Sequence, residues 1–121
     1  MSLVLVVDDD PVSIQLLELI LDRGGYEVIE ASDAARGLEL VRKFRPDLVI
    51  VDDMMPEISG GEMCRRIKSD ASLSHIPVIL ISAGMRLQDP RYVTMVGANS
   101  TLIKPTLSKD VLEAVARTLH A

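Results

Sequence analysis

A chain of 121 residues can bury one core but not two, and with 48% hydrophobic residues yet only two Tyr, one Phe and no Trp, that core is aliphatic. Thirteen basic against eighteen acidic residues leave a net charge of -5, which argues against direct nucleic-acid binding by this segment. The lone Cys64 excludes a disulfide framework and fits a reducing cytoplasm. No apolar run approaches the ~18–20 residues of a membrane span, and the amino terminus lacks the basic region of a secretion signal.

Leu3 to Val7 is a continuous apolar run followed by Asp8-Asp9-Asp10-Pro11, the pattern of a buried strand ending in an acidic turn. Asp10 before Pro11 is a good N-cap and first helical residue, and the helix over residues 11–23 places Ile14, Leu17, Ile20 and Leu21 on one face before Gly24-Gly25 stops it. Tyr26 to Ala31 mixes Glu27 and Glu30 with Val28 and Ile29, which suits a strand near the sheet edge. Ser32 or Asp33 caps a second helix to about Phe44, with Ala35, Leu38 and Val41 inward, and Arg45-Pro46 ends it.

Leu48 to Val51 is too short for a helix, mostly β-branched, and predicts a third strand buried on both faces. Asp52 falls at its carboxyl end. An unpaired carboxylate there costs several kcal/mol, roughly, or must shift its pKa, so a partner is expected nearby unless Asp52 or Asp53 merely opens a polar loop. Ser59-Gly60-Gly61 is expected as loop, Glu62 to Asp70 as a third helix with Met63 and Ile67 inward, and Val78 to Ile81 as a fourth buried strand ending at Ser82-Ala83-Gly84. Pro90 opens a short helix through Val96, Thr101 to Ile103 forms a fifth strand ending at Lys104-Pro105, and Ser108 caps a last helix to about His120 with Val111, Leu112, Val115 and Leu119 on one stripe.

Strands alternating with helices in this way predict a single α/β domain over residues 1–121, with a parallel sheet covered on both faces. Ligands in such sheets bind outside the carboxyl ends of the strands. Asp8 and Asp9, Asp52, Ser82 and Lys104 all fall at those ends. Each has a bland explanation as a cap, a turn hydroxyl or a solvated charge, but their gathering on one rim does not. Two carboxylates ~4 Å apart at an effective dielectric of ~20 repel by roughly 4 kcal/mol, so the rim needs cations. Lys104 offsets one charge, and the remainder with its oxygen-only donors suits one Mg²⁺. Asp52, central on the rim, is then equipped to attack phosphorus, with Ser82 placed to hydrogen-bond a phosphoryl oxygen. Cys64 is expected in the core, and His75 and His120 on the surface.

The set Val7-Asp8-Asp9, Asp52-x-x-Met55-Pro56-x-x-x-Gly60, Ile81-Ser82-Ala83 and Lys104-Pro105 resembles the receiver domain of two-component response regulators, of the chemotaxis-regulator type, over essentially the whole chain. The resemblance implies a doubly wound, flavodoxin-like sheet of order 2-1-3-4-5. It implies phosphoryl transfer from a phosphohistidine on a histidine kinase or histidine phosphotransfer protein to Asp52. It assigns Mg²⁺ to Asp9, Asp52 and the Met54 backbone carbonyl, with Asp8 acting through water. Lys104 would pair with the phosphoryl group, and its bond to Pro105 is expected to be cis. Ser82 would move toward the phosphoryl group and bias the face formed by the fourth helix, fifth strand and fifth helix, which would serve an effector domain or protein or a homodimer. The family's aromatic three residues before the lysine is here Thr101, and Met54 and Gly84 stand where phosphoryl lifetime is tuned.

These features imply a cytoplasmic signalling switch that catalyses its own phosphorylation and autodephosphorylation and is not a conventional turnover enzyme. The alternative is a pseudo-receiver that keeps the fold as an interaction module without being phosphorylated. A Mg²⁺-dependent phosphohydrolase would want a carboxylate at residue 54, which is Met, and a flavin-binding domain would want glycines and hydroxyls where Asp8 to Asp10 stand.

Overall fold

The computed structural model describes residues 2–120, so positions 1 and 121 of the expected domain lie outside it. The chain runs β1 (Leu3–Val7), α1 (Pro11–Arg23), β2 (Glu27–Ala31), α2 (Ala34–Phe44), β3 (Leu48–Asp52), α3 (Gly60–Ser69), β4 (Val78–Ser82), α4 (Pro90–Val96), β5 (Ser100–Ile103) and α5 (Ser108–Leu119). All five strands are parallel, in the order β2-β1-β3-β4-β5. This is the expected doubly wound sheet, with β2 and β5 at its edges. No helix among the described residues is long and apolar enough to cross a membrane.

Strand alternation sorts the core into two layers. Leu5, Val7, Val49, Val51, Val78 and Leu80 pack with Leu38, Val41, Met63, Cys64 and Ile67 of α2 and α3. Val4, Val6, Leu48, Ile50, Ile79 and Ile81 face the other way, onto Ile14, Leu17, Leu21, Val111 and Val115 of α1 and α5. The three central strands are buried almost completely, which is why they read as unbroken apolar runs rather than alternating ones.

The helix starts follow from local chemistry. Asp10 caps α1 by accepting from the Val12 amide at 3.1 Å, and Asp33 caps α2 by accepting from the Arg36 amide at 2.7 Å. Three expectations need correction. Gly60 and Gly61 are not loop: Ser59 caps α3 by accepting from the Glu62 amide at 3.1 Å, and the glycines form the first turn. Glycine is required there because a Cβ on Gly60 would collide with the Asp52 carbonyl oxygen, so α3 begins pressed against the end of β3. In α2 the inward alanine is Ala34, not Ala35, since Ala34 stands four and seven residues before the buried Leu38 and Val41 and so shares their face. Ser108 does not cap α5 but is its first residue; Leu107 holds the cap position with no side-chain hydrogen bond. A turn of 3₁₀ helix, Met85–Gln88, precedes α4 and carries no periodicity that would announce it.

Two consequences are measurable. Gly60→Ala forces backbone apart at the end of β3 and should lower stability by about 1–3 kcal/mol, read as a reduced urea midpoint. Cys64 is fully buried, and burial pushes its thiol up to about 11 from 9.0, leaving about a hundredfold less thiolate at neutral pH. A disulfide reagent at pH 8 should therefore label Cys64 only as fast as the domain unfolds, and labelling accelerates in Gly60→Ala.

Candidate functional site

Among the described residues the buried polar or charged side chains are Asp8, Asp52, Asp53 and Ser82, and all four stand at or just beyond the carboxyl end of a central strand. Asp8 continues the series Val4, Val6 and Asp52 the series Leu48, Ile50, so both turn toward the α1 and α5 side. Because β1 and β3 are neighbours, paired Val7 to Val51, the two carboxylates meet.

Lys104, just after β5, reaches across β4 to join them. Its Nζ donates to Asp52 Oδ2 at 2.7 Å and to Asp8 Oδ2 at 2.8 Å. The peptide bond that follows, Lys104-Pro105, is cis as expected. A third donor bond, to Ser13 Oγ at 3.2 Å, involves a residue of α1 that the sequence does not single out. Ser13 in turn donates to Asp10 Oδ2 at 3.0 Å, so the cap of α1 also seats the lysine. The signal was weak: a serine one turn into a helix is ordinary.

The other oxygens of the pair are held by backbone. Asp52 Oδ1 accepts from the Met54 amide at 2.8 Å and Asp8 Oδ1 from the Asp10 amide at 2.9 Å. Asp9 is exposed beside them, and one carboxylate oxygen each from Asp8, Asp9 and Asp52 lies within 4.8 Å of the others. Three carboxylates against one ammonium leave an oxygen-only donor set with an excess of negative charge, which fits a hard divalent cation such as Mg²⁺.

Ser82 lies at the end of β4 but is turned to its own loop, its Oγ accepting from the Gly84 amide at 3.0 Å. Among the described residues no hydrogen bond joins it to Asp52. The Met54 side chain is 62% exposed and lies over Gly84, where a Cβ would come within 2.6 Å of its sulfur. Thr101 pairs with Leu80 within the sheet. His75 and His120 are exposed and take no part.

Asp53, which with Asp52 could on sequence merely open a polar loop, is instead a buried acceptor. It is 1% exposed and accepts from Arg86 Nε at 2.9 Å, Tyr92 OH at 2.7 Å and the Gly61 amide at 2.8 Å. Strand alternation after Val49 and Val51 was the available signal, since it turns Asp53 inward on the face opposite Asp52.

The family model for the response regulator receiver domain matches residues 4–116. This chain belongs to that family. Among its relatives, the polar-differentiation response regulator DivK of Brucella anthropi is 31% identical over 112 residues, covering 93% of this chain and 91% of that protein. The DNA-binding dual master transcriptional regulator RpaA of Synechocystis is 35% identical over 117 residues, 97% of this chain but 47% of RpaA, so the chain spans about half of that relative. The chemotaxis protein CheY4 of Vibrio cholerae superposes with a TM-score of 0.91 at 28% identity, covering 98% of each chain.

The electrostatics of this receiver domain follow from burial. Burial raises the Asp52 pKa, the Asp8 charge adds to the rise, and the hydrogen bonds from Lys104 and the Met54 amide only partly oppose it. Burial also pulls Lys104 down, but its bonds to Asp52 and Asp8 outweigh that and the ammonium is held above its ordinary value. A carboxyl group whose pKa is higher folded than unfolded costs no stability below the unfolded value and subtracts from stability as the pH rises through the folded one. With chelator present, Asp52→Asn should therefore raise the urea midpoint at pH 7, and the advantage should shrink as the pH falls through the raised Asp52 pKa. A lower midpoint for the variant at pH 7 would contradict this account of the site.

Proposed function

We propose that the chain is a phosphoacceptor switch, in which Asp52 takes a phosphoryl group from a phosphohistidine on a histidine kinase or histidine phosphotransfer protein. The observation that carries this reading is the single ammonium of Lys104 held at 2.7 and 2.8 Å between two buried carboxylates, beside the exposed Asp9. A fold kept only for interaction has no use for so costly a cluster, which disfavours the pseudo-receiver.

In the transfer, an Asp52 oxygen forms a bond to phosphorus while the bond to the imidazole nitrogen breaks, and the imidazole leaves with the electron pair. The protein contributes positioning and charge compensation. Lys104 already sits on Oδ2 of the acceptor and is placed to pair with a phosphoryl oxygen. Asp9, Asp52 and the Met54 carbonyl would hold Mg²⁺, with Asp8 acting through water, and the cation supplies charge neutralisation to the transferring group. Ser82 donates its hydroxyl hydrogen to a phosphoryl oxygen by swinging its side chain toward Asp52, which carries Oγ out of reach of the Gly84 amide it now accepts from.

The donor meets an apolar groove of about 280 Å³ that opens beside Lys104, lined by Leu16, Leu17, Ile81, Ala83 and Pro105. Output passes through the face of α4, β5 and α5 to an effector domain or protein. The switch acts on itself and turns over no separate substrate, and we place it in the cytoplasm.

Incubation with Mg²⁺ and acetyl phosphate should add about 80 Da, one phosphoryl group, to the intact mass. The gain should require Mg²⁺ and be absent in Asp52→Asn. Lys104→Ala should still bind Mg²⁺ while losing the response of the α4 and α5 face. A wild-type protein that neither gains mass nor releases phosphate would establish the pseudo-receiver instead.

A further inference from the structure

Asp53 is 1% exposed, next to Asp8 among the rim carboxylates in its burial, yet the transfer chemistry makes no use of it. Its two oxygens are divided between two elements. Oδ2 takes Arg86, through Nε and the terminal nitrogen, both at 2.9 Å, while Oδ1 takes the Tyr92 hydroxyl at 2.7 Å and the Gly61 amide at 2.8 Å. The guanidinium also lies over the Tyr92 ring, 4.4 Å from its centroid. Burial, reinforced by the bond to Asp53, pushes the Tyr92 phenol up to about 12, so it remains a neutral donor. The phenol reaches the carboxylate only because residue 61 is glycine, since a Cβ there would collide with the hydroxyl oxygen.

The placement of these partners along the chain gives the contact its meaning. Arg86 lies in the 3₁₀ turn two residues beyond Gly84, whose amide holds Ser82 Oγ, and Tyr92 lies in α4. One carboxylate, covalently next to the acceptor, therefore grips both ends of the segment that Ser82 must disturb. We propose that Asp53 is a positioning residue: with Arg86 and Tyr92 it latches the Gly84 to Tyr92 segment in its unmodified position, and modification of Asp52 reaches α4 by loosening that latch. The proposal rests on the phosphoacceptor reading.

When the Ser82 side chain swings to a phosphoryl oxygen, the moved Oγ no longer reaches the Gly84 amide and the segment carrying Arg86 is free to shift. Arg86 is half exposed and can leave into water, whereas the buried Asp53 cannot follow. The latch thus opposes the Ser82 movement, and weakening it biases the unmodified protein toward the modified conformation. Both carboxylates at the end of β3 then have a role, Asp52 in receiving the group and Asp53 in reporting it.

Tyr92→Phe and Arg86→Gln each remove one partner and leave Asp53 and the acceptor in place, so they are measured in the full chain beside the wild type. Without phosphodonor, amide exchange across residues 84–92 should quicken about tenfold, the factor expected for losing one charge-assisted hydrogen bond, while Val4 to Val7 exchange as before. With acetyl phosphate and Mg²⁺, both variants should take up label at Asp52 at least about threefold faster than the wild type. Unchanged exchange at 84–92, or faster exchange with unchanged or slower labelling, would overturn the latch. A wild type that neither takes label nor releases phosphate overturns the phosphoacceptor reading itself, so the two failures are distinguishable.

Discussion

The ammonium of Lys104 between Asp8 and Asp52 is the contact on which the carboxyl rim of the sheet depends. It links the ends of β1 and β3 to the segment after β5, elements separated by up to 96 positions in the chain. Without it two buried carboxylates would face each other in a medium that screens them poorly. The lysine does not abolish the cost; it leaves the Asp52 pKa still raised by burial. The site is therefore held short of electrostatic balance, with Asp9 adding a further charge at its open side. An excess of negative charge among Asp8, Asp9 and Asp52 makes a divalent cation the complement of the fold itself rather than something added to it.

Alternation along one strand divides the labour at that rim. Leu48, Ile50 and Asp52 face α1 and α5, while Val49, Val51 and Asp53 face α2 and α3. Two adjacent aspartates thereby enter different environments, one with Lys104 and the other with Arg86 and Tyr92. Gly60 and Gly61 serve both, the first by letting α3 press on the Asp52 carbonyl and the second by leaving room for the Tyr92 hydroxyl.

The strands, their order and the rim were legible because their signals are strong and local. Central parallel strands must be apolar on both faces, so β1, β3 and β4 appear as runs that end abruptly at polar residues, and the α/β alternation then places those ends together. What escaped was set by tertiary contact. Ser59-Gly60-Gly61 has the composition of a loop, and only the proximity of β3 explains why glycines open α3. Ala34 and Ala35 are indistinguishable by type, and the inward one is decided by which packs with Leu38 and Val41 against the sheet. Ser108 has the chemistry of a cap, but the extended Leu107 holds that position. Asp53 reads as a loop opener because its partners lie 33 and 39 residues away, on a 3₁₀ turn and a short helix without strong periodicity.

Thr101 shows why those distant partners matter. At this position in β5 a threonine paired with Leu80 offers no large ring whose movement could register a change at Asp52. The aromatic residue that does touch the rim comes instead from α4, and it touches through a hydroxyl on a buried carboxylate rather than through ring packing. A contact of that kind is directional and charge-assisted, so it is broken or kept by small displacements. The 3₁₀ turn that carries Arg86 follows Ser82 almost directly, and so the chain path from the end of β4 to α4 passes through the residues that bind Asp53. In this molecule the acidic pair at the end of β3 ties one carboxylate to Lys104 after β5 and the other to the 3₁₀ turn and α4.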